Sequence, residues 1–160
     1  MSTGRDEHPA RGARVRVLPP ALFAVPFALG WLVHLGWAWS MPGRPLVQWV
    51  GALVLAAALG LMAWALLTLR RQRTTFVPWD PVDRLVTTGP FARSRNPIYL
   101  ADALAHLGGS MALASWWPLL TLPLALLALW WWVIDREETY LLARFGAEYR
   151  AYADRVRRLI

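Results

Sequence analysis

Residues 46–69 read LVQWVGALVLAAALGLMAWALLTL and carry no charged side chain. A helix needs about 20 mostly apolar residues to cross the hydrocarbon core of a bilayer. No water is available there, so a spanning segment must satisfy its backbone hydrogen bonds internally, as a helix does. The stretch therefore predicts a transmembrane α-helix, and the chain as a whole is 57% hydrophobic.

Three further apolar stretches lie on either side of residues 46–69. Residues 18–39 precede it, interrupted by His34, and residues 98–115 and 117–134 follow it. Their lengths are close to what a spanning helix requires. The sequence therefore predicts an all-α, polytopic membrane protein with about four transmembrane helices.

The segments outside these stretches have a different composition. Residues 1–17 are charged and contain glycine and proline, so we expect a disordered cytoplasmic tail. In residues 135–158 apolar side chains recur at steps of three and four, with arginines opposite. This spacing predicts an amphipathic cytoplasmic helix on the membrane surface. Gly146 weakens that helix by about 1 kcal/mol relative to alanine, so it could bend there. We expect residues 18–160 to form one domain.

The positive charges predict the orientation. The 17 basic residues are all arginines, and only Arg44 lies between the first two predicted spans. The positive-inside rule then places both termini and the long middle loop in the cytoplasm. Arginines that flank apolar segments favour an anionic lipid surface as the partner and argue against nucleic acid.

A signal peptide and a metal or disulfide site are two further features that the sequence bears on. Ala38-Trp39-Ser40 could end a signal peptide, but the preceding apolar run is long for a signal core and three more spans follow it. The chain contains no cysteine, which excludes disulfides and thiolate metal sites. We therefore expect a retained first span and no metal centre.

The third predicted span carries an unusual set of polar residues. Arg95, Tyr99, Asp102 and His106 are spaced by four, three and four residues, which places them on one helical face. Asn96 could cap this helix through its side chain. Asp102 and His106 could form a structural hydrogen-bonded pair, or the row could line a pocket that opens to the cytoplasm. The second interpretation is favoured because ionisable groups inside a membrane are costly and usually functional.

Other polar and small residues also have two interpretations. His34 is best explained as a core histidine bonded to a backbone carbonyl. Residues 108–110, Gly-Gly-Ser, favour close helix packing, with a ligand against the bare backbone as the alternative. Glu137 and Glu138 could be a solvated helix start supported by the helix dipole, or they could bind a cation such as an amino group.

Two motifs resemble those of a known family. Residues 85–99, LVTTGPFARSRNPIY, resemble the signature of the isoprenylcysteine carboxyl methyltransferase and phospholipid methyltransferase superfamily, bacterial members included. A second block begins at Glu137-Glu138 and ends at Tyr152, and it is similar to that family's downstream motif. An apolar hairpin separates the blocks, as in the family. The resemblance implies a methyltransferase of the bacterial inner membrane.

The resemblance also implies S-adenosylmethionine as methyl donor, held at the cytoplasmic ends of the last two spans. In this picture Glu137 pairs with the cofactor's ammonium, and Arg95 or Asn96 meets its carboxylate. Phe91 and Tyr99 pack on adenine or face the sulfonium. The cofactor-binding residues carried over by position are Leu85, Val86, Phe91, Asn96, Pro97, Ile98, Tyr99, Glu137 and Glu138.

The acceptor side is less defined by the motifs. Arg95, Asp102 and His106 are the candidate catalytic residues there. Prenylcysteine enzymes carry an arginine at the position of Val133, which argues against a prenylated protein substrate. We expect a small lipophilic or lipid acceptor, membrane lipids as surroundings and no obligate protein partner.

Two other functions fit a four-span membrane protein. A small transporter is one, although exporters of that kind carry a carboxylate in their first span, and this chain carries none in its first two. An NADPH-dependent reductase is the other, because sterol reductases share a related C-terminal region. Binding of S-adenosylmethionine, of NADPH or of neither distinguishes the three hypotheses.

Overall fold

The computed structural model describes residues 18–74 and 84–159, and the tail expected at residues 1–17 lies outside these ranges. Every regular element within them is helical, so the all-α prediction is confirmed. The helices are α1 (Pro19–Gly36), α2 (Arg44–Arg71), α3 (Pro97–Ala112), α4 (Trp116–Leu129), α5 (Asp135–Phe145) and α6 (Ala147–Ala153). A 3₁₀ turn, Gly89–Ala92, precedes α3, and a π-helical turn, Trp130–Ile134, joins α4 to α5.

Proline begins several of the helices. Pro19, Pro45 and Pro97 occupy the first turns of α1, α2 and α3, where a missing backbone N–H removes no hydrogen bond. The side chain of Asn96 makes no capping bond at the start of α3. Asn96 occupies the N-cap position, as expected, but its side-chain amide binds a different partner, described below.

Three helices in the described part of the chain are long and apolar enough to cross a membrane. They are α1, α2 and the continuous helix Trp116–Phe145, with mean hydropathies of 1.4, 2.3 and 1.7. α3 has 16 residues, which corresponds to about 24 Å of helix. It is shorter than the segment 98–115 expected from sequence because the chain turns at Leu113 and Ala114, the latter with a positive φ of 48°.

The C-terminal region differs from the single helix expected over residues 135–158. α5 ends at Phe145 and α6 begins at Ala147, with Gly146 between them at φ 52° and ψ −118°. Residues with a Cβ avoid this backbone conformation, which is why the helix breaks at the glycine. α6 ends at Ala153, and the following residues turn back towards the start of α3.

α3 lies at the centre of the bundle and packs against α1, α2 and α4. A Cβ added at Gly108 would lie 2.6 Å from the Leu55 backbone nitrogen, and one at Gly51 would overlap the backbone of Ala112. Small residues at such crossings allow two helices to come into van der Waals contact. The packing interpretation of Gly108 is therefore confirmed.

The bundle has one end closed by backbone pairing. The Met41 N–H donates to Ala114 O at 2.8 Å, and the Trp116 N–H donates to Trp39 O at 3.1 Å. Beneath them, His34 Nδ1 lies 2.8 Å from the Ser115 hydroxyl. His34 is thus a buried core histidine, as expected, but its partner is a hydroxyl group instead of a carbonyl. The first turn of α3 and the start of α5 lie at the opposite end.

Candidate active site

The two sequence motifs meet through one short hydrogen bond. The Tyr99 hydroxyl, on the first turn of α3, donates to Glu137 Oε1, on the first turn of α5, at 2.6 Å. Tyr99 is 8% exposed and packs in a core cluster with Leu129, Val133 and Ile134. These apolar neighbours exclude water from the phenol, so the contact with Glu137 is held inside the protein.

A network of opposite charges surrounds this contact. Arg95 Nη2 lies 3.3 Å from Glu138 Oε1, and each side chain is 14% exposed. Arg158 bridges two carboxylates, with Nη2 2.6 Å from Glu138 Oε2 and Nη1 3.2 Å from Asp135 Oδ1. Arg95, predicted to lie on the acceptor side, therefore lies within the charged network of the predicted cofactor residues.

Two buried atoms of this network lack a hydrogen-bond partner in the described part of the chain. They are Nε of Arg95, which is a donor, and Oε1 of Glu138, which is an acceptor. The 3.3 Å contact between these side chains is thus an ion pair without an aligned hydrogen bond. Buried polar groups of native proteins usually have partners. The Arg95 Nε–H therefore remains an unused donor in the site, whereas Glu138 Oε1 already faces the Arg95 guanidinium.

Aromatic side chains complete the surroundings. Arg158 Cζ lies 4.4 Å from the centroid of the Trp130 ring, within the range of a cation–π contact. Tyr149 and Tyr152 of α6 are buried, and the Tyr152 hydroxyl donates to Phe91 O at 2.7 Å. Burial raises the pKa of Tyr149 to about 12, so this phenol stays neutral at physiological pH.

The C-terminal segment after α6 is tied to the residues just before α3. The Arg95 N–H donates to Arg157 O at 2.9 Å, and Asn96 Nδ2 donates to Arg158 O at 3.0 Å. The Ser94 hydroxyl donates to the same Arg158 carbonyl at 3.3 Å. Asn96 thus holds the C-terminal segment in place, because its amide is committed to that carbonyl.

The remaining predicted cofactor residues lie on the approach to α3. Val86 and Pro97 are buried, and Leu85 and Phe91 are partly buried. Ile98 packs against the core cluster that contains Tyr99. The Phe91 carbonyl accepts the hydrogen bond from Tyr152 described above.

Asp102 and His106 lie deeper along α3, and they are not bonded to each other. His106 Nε2 lies 2.8 Å from the backbone oxygen of Pro118 on α4 and 3.3 Å from the Thr121 hydroxyl. His106 Nδ1 and Asp102 Oδ2 are buried without a partner in the described ranges. The hydrogen bond between Asp102 and His106 that the sequence suggested is therefore wrong, because the imidazole bonds to α4 instead.

The sequence did not single out several residues of this site. Arg158 and Asp135 enter it through ion pairs, and Ser94 enters it through the C-terminal segment. Arg158 is one of several arginines in the tail, and no local pattern distinguishes it from its neighbours. Tyr149 and Tyr152 could have been found, because they belong to the second motif.

Comparison with known protein families gives a match over most of the helical part of the chain. A family model described as phospholipid methyltransferase matches residues 46–148. The match extends from α2 into α6 and includes both Tyr99 and Glu137. Searches of curated proteins and of solved structures give no match.

Proposed function

The chain belongs to the phospholipid methyltransferase family, and on that basis we propose that it transfers a methyl group from S-adenosylmethionine to a lipophilic or lipid acceptor in the membrane. The observation that carries the proposal is the hydrogen bond between Tyr99 and Glu137. It joins the two motifs at one end of the bundle, where a cofactor from the cytoplasm can meet an acceptor from the lipid.

Two groups of the site fit such a cofactor. S-adenosylmethionine carries a carboxylate, an ammonium and a sulfonium. Arg95 Nε is a free donor that suits the carboxylate, and the Glu137 carboxylate, which accepts a hydrogen bond from the neutral Tyr99 phenol, suits the ammonium. Both groups are partly buried, and charge-assisted hydrogen bonds are about twice as strong as neutral ones.

The protein's contribution to such a reaction is alignment and exclusion of water. When bound, the cofactor supplies a methyl carbon already activated by positive sulfur. Transfer would form the bond from acceptor to carbon as the carbon–sulfur bond breaks, its electron pair would pass to sulfur, and a proton on the acceptor atom would leave to water. Holding donor and acceptor in line supplies the proximity contribution to the rate, and Tyr99 holds Glu137 fixed for that purpose.

We further propose that α3 is the fourth membrane segment, which gives four spans and two cytoplasmic termini. A short turn connects it to α4, and it packs against α1, α2 and α4. Arg70, Arg71 and Arg95 lie at the site end of the bundle, whereas Arg44 begins α2 at the other end. The positive-inside rule then places the site in the cytoplasm, and the resemblance to bacterial members suggests the inner membrane.

A binding titration of the full-length protein in detergent tests the proposal. We expect S-adenosylmethionine to bind, and Glu137→Gln to weaken binding about tenfold or more because a charge-assisted hydrogen bond is lost. Tyr99→Phe keeps the ring and removes the hydroxyl that orients Glu137, so it should weaken binding to a smaller degree. Glu148→Gln is the matched control, since Glu148 is an exposed carboxylate on α6.

The same titration addresses the alternative functions. Binding of NADPH without S-adenosylmethionine would identify a reductase, and binding of neither would leave transport as the better hypothesis. Normal cofactor affinity in both Glu137→Gln and Tyr99→Phe would place the cofactor elsewhere. Each variant's folded yield is measured first by gel filtration, so that a loss of binding is not confused with misfolding.

A further inference from the structure

Asp102 is a partly buried residue, and one of its two carboxylate oxygens is fully buried. It lies one helical turn deeper than Tyr99 on α3, and its Oδ2 has no hydrogen-bond partner in the described ranges. The nearby arginines are engaged elsewhere, because Arg95 and Arg158 both contact Glu138. Buried polar atoms of native proteins usually have a hydrogen-bond partner, and an unpartnered one is often explained by a ligand.

His106, one turn further, presents a second unpartnered atom. Its Nε2 lies 2.8 Å from Pro118 O, and a carbonyl can only accept, so Nε2 carries the hydrogen. In a neutral ring Nδ1 is then an acceptor, and it is buried without a partner in the described ranges. The backbone carbonyl of Phe23 is also near the ring, but it has no hydrogen to donate.

Residues of α1 and α4 surround the His106 ring. Phe23 and Phe27 of α1 contact the His106 ring edge-on, with centroids 6.2 and 5.2 Å away. Thr121 of α4 approaches its Nε2 side. Apolar rings on one flank and polar acceptors on the other are the features of a site for a polar head attached to an apolar chain.

Both unpartnered atoms are acceptors, and their residues are four apart on α3, which places the two Cα atoms about 6 Å apart along the helix axis. A carboxylate or thiolate would bring no hydrogen and would be repelled by Asp102. Building on the function proposed above, we infer that Asp102 and His106 form the subsite for the head of the methyl acceptor. This head carries N–H or O–H donors, as an amine or a hydroxyl compound does, and it is not a carboxylate.

Three acceptor probes of different chemistry test the inference. They are phosphatidylethanolamine, which has an amine, a long-chain alkylphenol, which has a hydroxyl, and oleate, which has a carboxylate. Each is presented in phosphatidylcholine vesicles to the full-length protein with labelled S-adenosylmethionine. We expect methyl transfer to the amine or the phenol and none to oleate.

Variants then assign the selectivity to the two residues. Asp102→Leu should lower kcat/KM for the accepted probe about tenfold or more, mainly through KM, while the Kd of S-adenosylmethionine stays unchanged. Asp102→Asn keeps an acceptor oxygen without the charge, so a hydroxyl head should tolerate it better than an amine head. His106→Gln keeps a donor and an acceptor and should be milder than His106→Leu. Glu148→Gln is the control, because Glu148 is an exposed carboxylate on α6 that takes no part in this subsite.

Several results would overturn the inference. Preferred methylation of oleate would contradict it. The absence of methyl transfer to both phosphatidylethanolamine and the alkylphenol would also contradict it. An unchanged KM in both Asp102→Leu and His106→Leu, with cofactor affinity intact, would also contradict it. Failure of the wild-type protein to bind S-adenosylmethionine is a separate outcome, since it refutes the proposed function itself.

Discussion

Arg158 Nη2 lies 2.6 Å from Glu138 Oε2, so the last described residues of the chain return to the start of α5. The same guanidinium contacts Asp135 and lies over the ring of Trp130. The Arg158 side chain is 32% exposed, and ion pairs of such exposure contribute about 1 kcal/mol or less. The contact therefore orders the C-terminal segment more than it stabilises the fold.

Replacement of Arg158 by alanine should loosen the C-terminal segment while the bundle stays folded. The Arg95 N–H, which donates to Arg157 O, should then exchange its hydrogen about fivefold faster, as expected for a loss of about 1 kcal/mol. Hydrogen exchange measured by mass spectrometry checks this. Arg155→Ala is the control, because Arg155 bonds locally to Ala151 O. Equal exchange in the two variants would show that Arg158 does not hold the segment.

The crossing of α2 and α3 yields a second prediction. Gly108→Ala places a methyl group 2.6 Å from the Leu55 backbone nitrogen and 2.9 Å from the Gly51 oxygen. Neither backbone atom can move aside cheaply, and overpacking of this kind costs about 1–3 kcal/mol. We expect a lower thermal unfolding temperature in detergent, together with weaker cofactor binding because α3 carries Tyr99.

The control for this substitution lies on the same helix pair. A Cβ at Gly60 of α2 would meet nothing within 4 Å, and alanine is favoured over glycine in a helix by about 1 kcal/mol. Gly60→Ala should therefore leave the unfolding temperature unchanged or raise it. Equal unfolding temperatures for Gly108→Ala and the native chain would contradict the close crossing.

The helical fold was predictable because the physics that determines it is local. An uncharged apolar run such as residues 46–69 must be helical in a bilayer. Prolines such as Pro45 and Pro97 are typical of the first turn of a helix and indicate where a helix begins. The break at Gly146 was only partly foreseen. The sequence shows a residue that weakens a helix, but the angle through which the chain bends depends on where α6 finds contacts.

The site residues that belong to the two motifs were predictable from sequence, and the others were not. The two motifs that contain Tyr99 and Glu137 suggested a common pocket, and the structure joins those residues directly. The pairing of Asp102 with His106 was wrong, because helical spacing says nothing about Pro118, the partner on α4 that takes the imidazole. Arg158 was missed for the same reason, since its partners are set by the fold of the C-terminal segment.

Tyr149 provides a prediction about alkaline pH. Burial raises its pKa to about 12, the Glu138 carboxylate adds to the shift, and Arg95 opposes it, whereas a phenol in an unfolded chain titrates at about 10. The unfolded state therefore loses its proton first as pH rises. The stabilisation from the neutral phenol is complete below pH about 10 and is lost progressively as pH rises towards about 12.

Thermal unfolding of the native protein and of Tyr149→Phe over this alkaline range checks the prediction. The native unfolding temperature should fall with pH, and the fall should be shallower in Tyr149→Phe because one of the contributing phenols is gone. Burial also raises the pKa of Tyr152, so Tyr152 keeps its share in that variant, and the double replacement by phenylalanine should flatten the profile further. If the unfolding temperatures of the native chain and of Tyr149→Phe fell with pH in parallel, the pKa of Tyr149 would not be raised in the folded protein, and the prediction would be wrong.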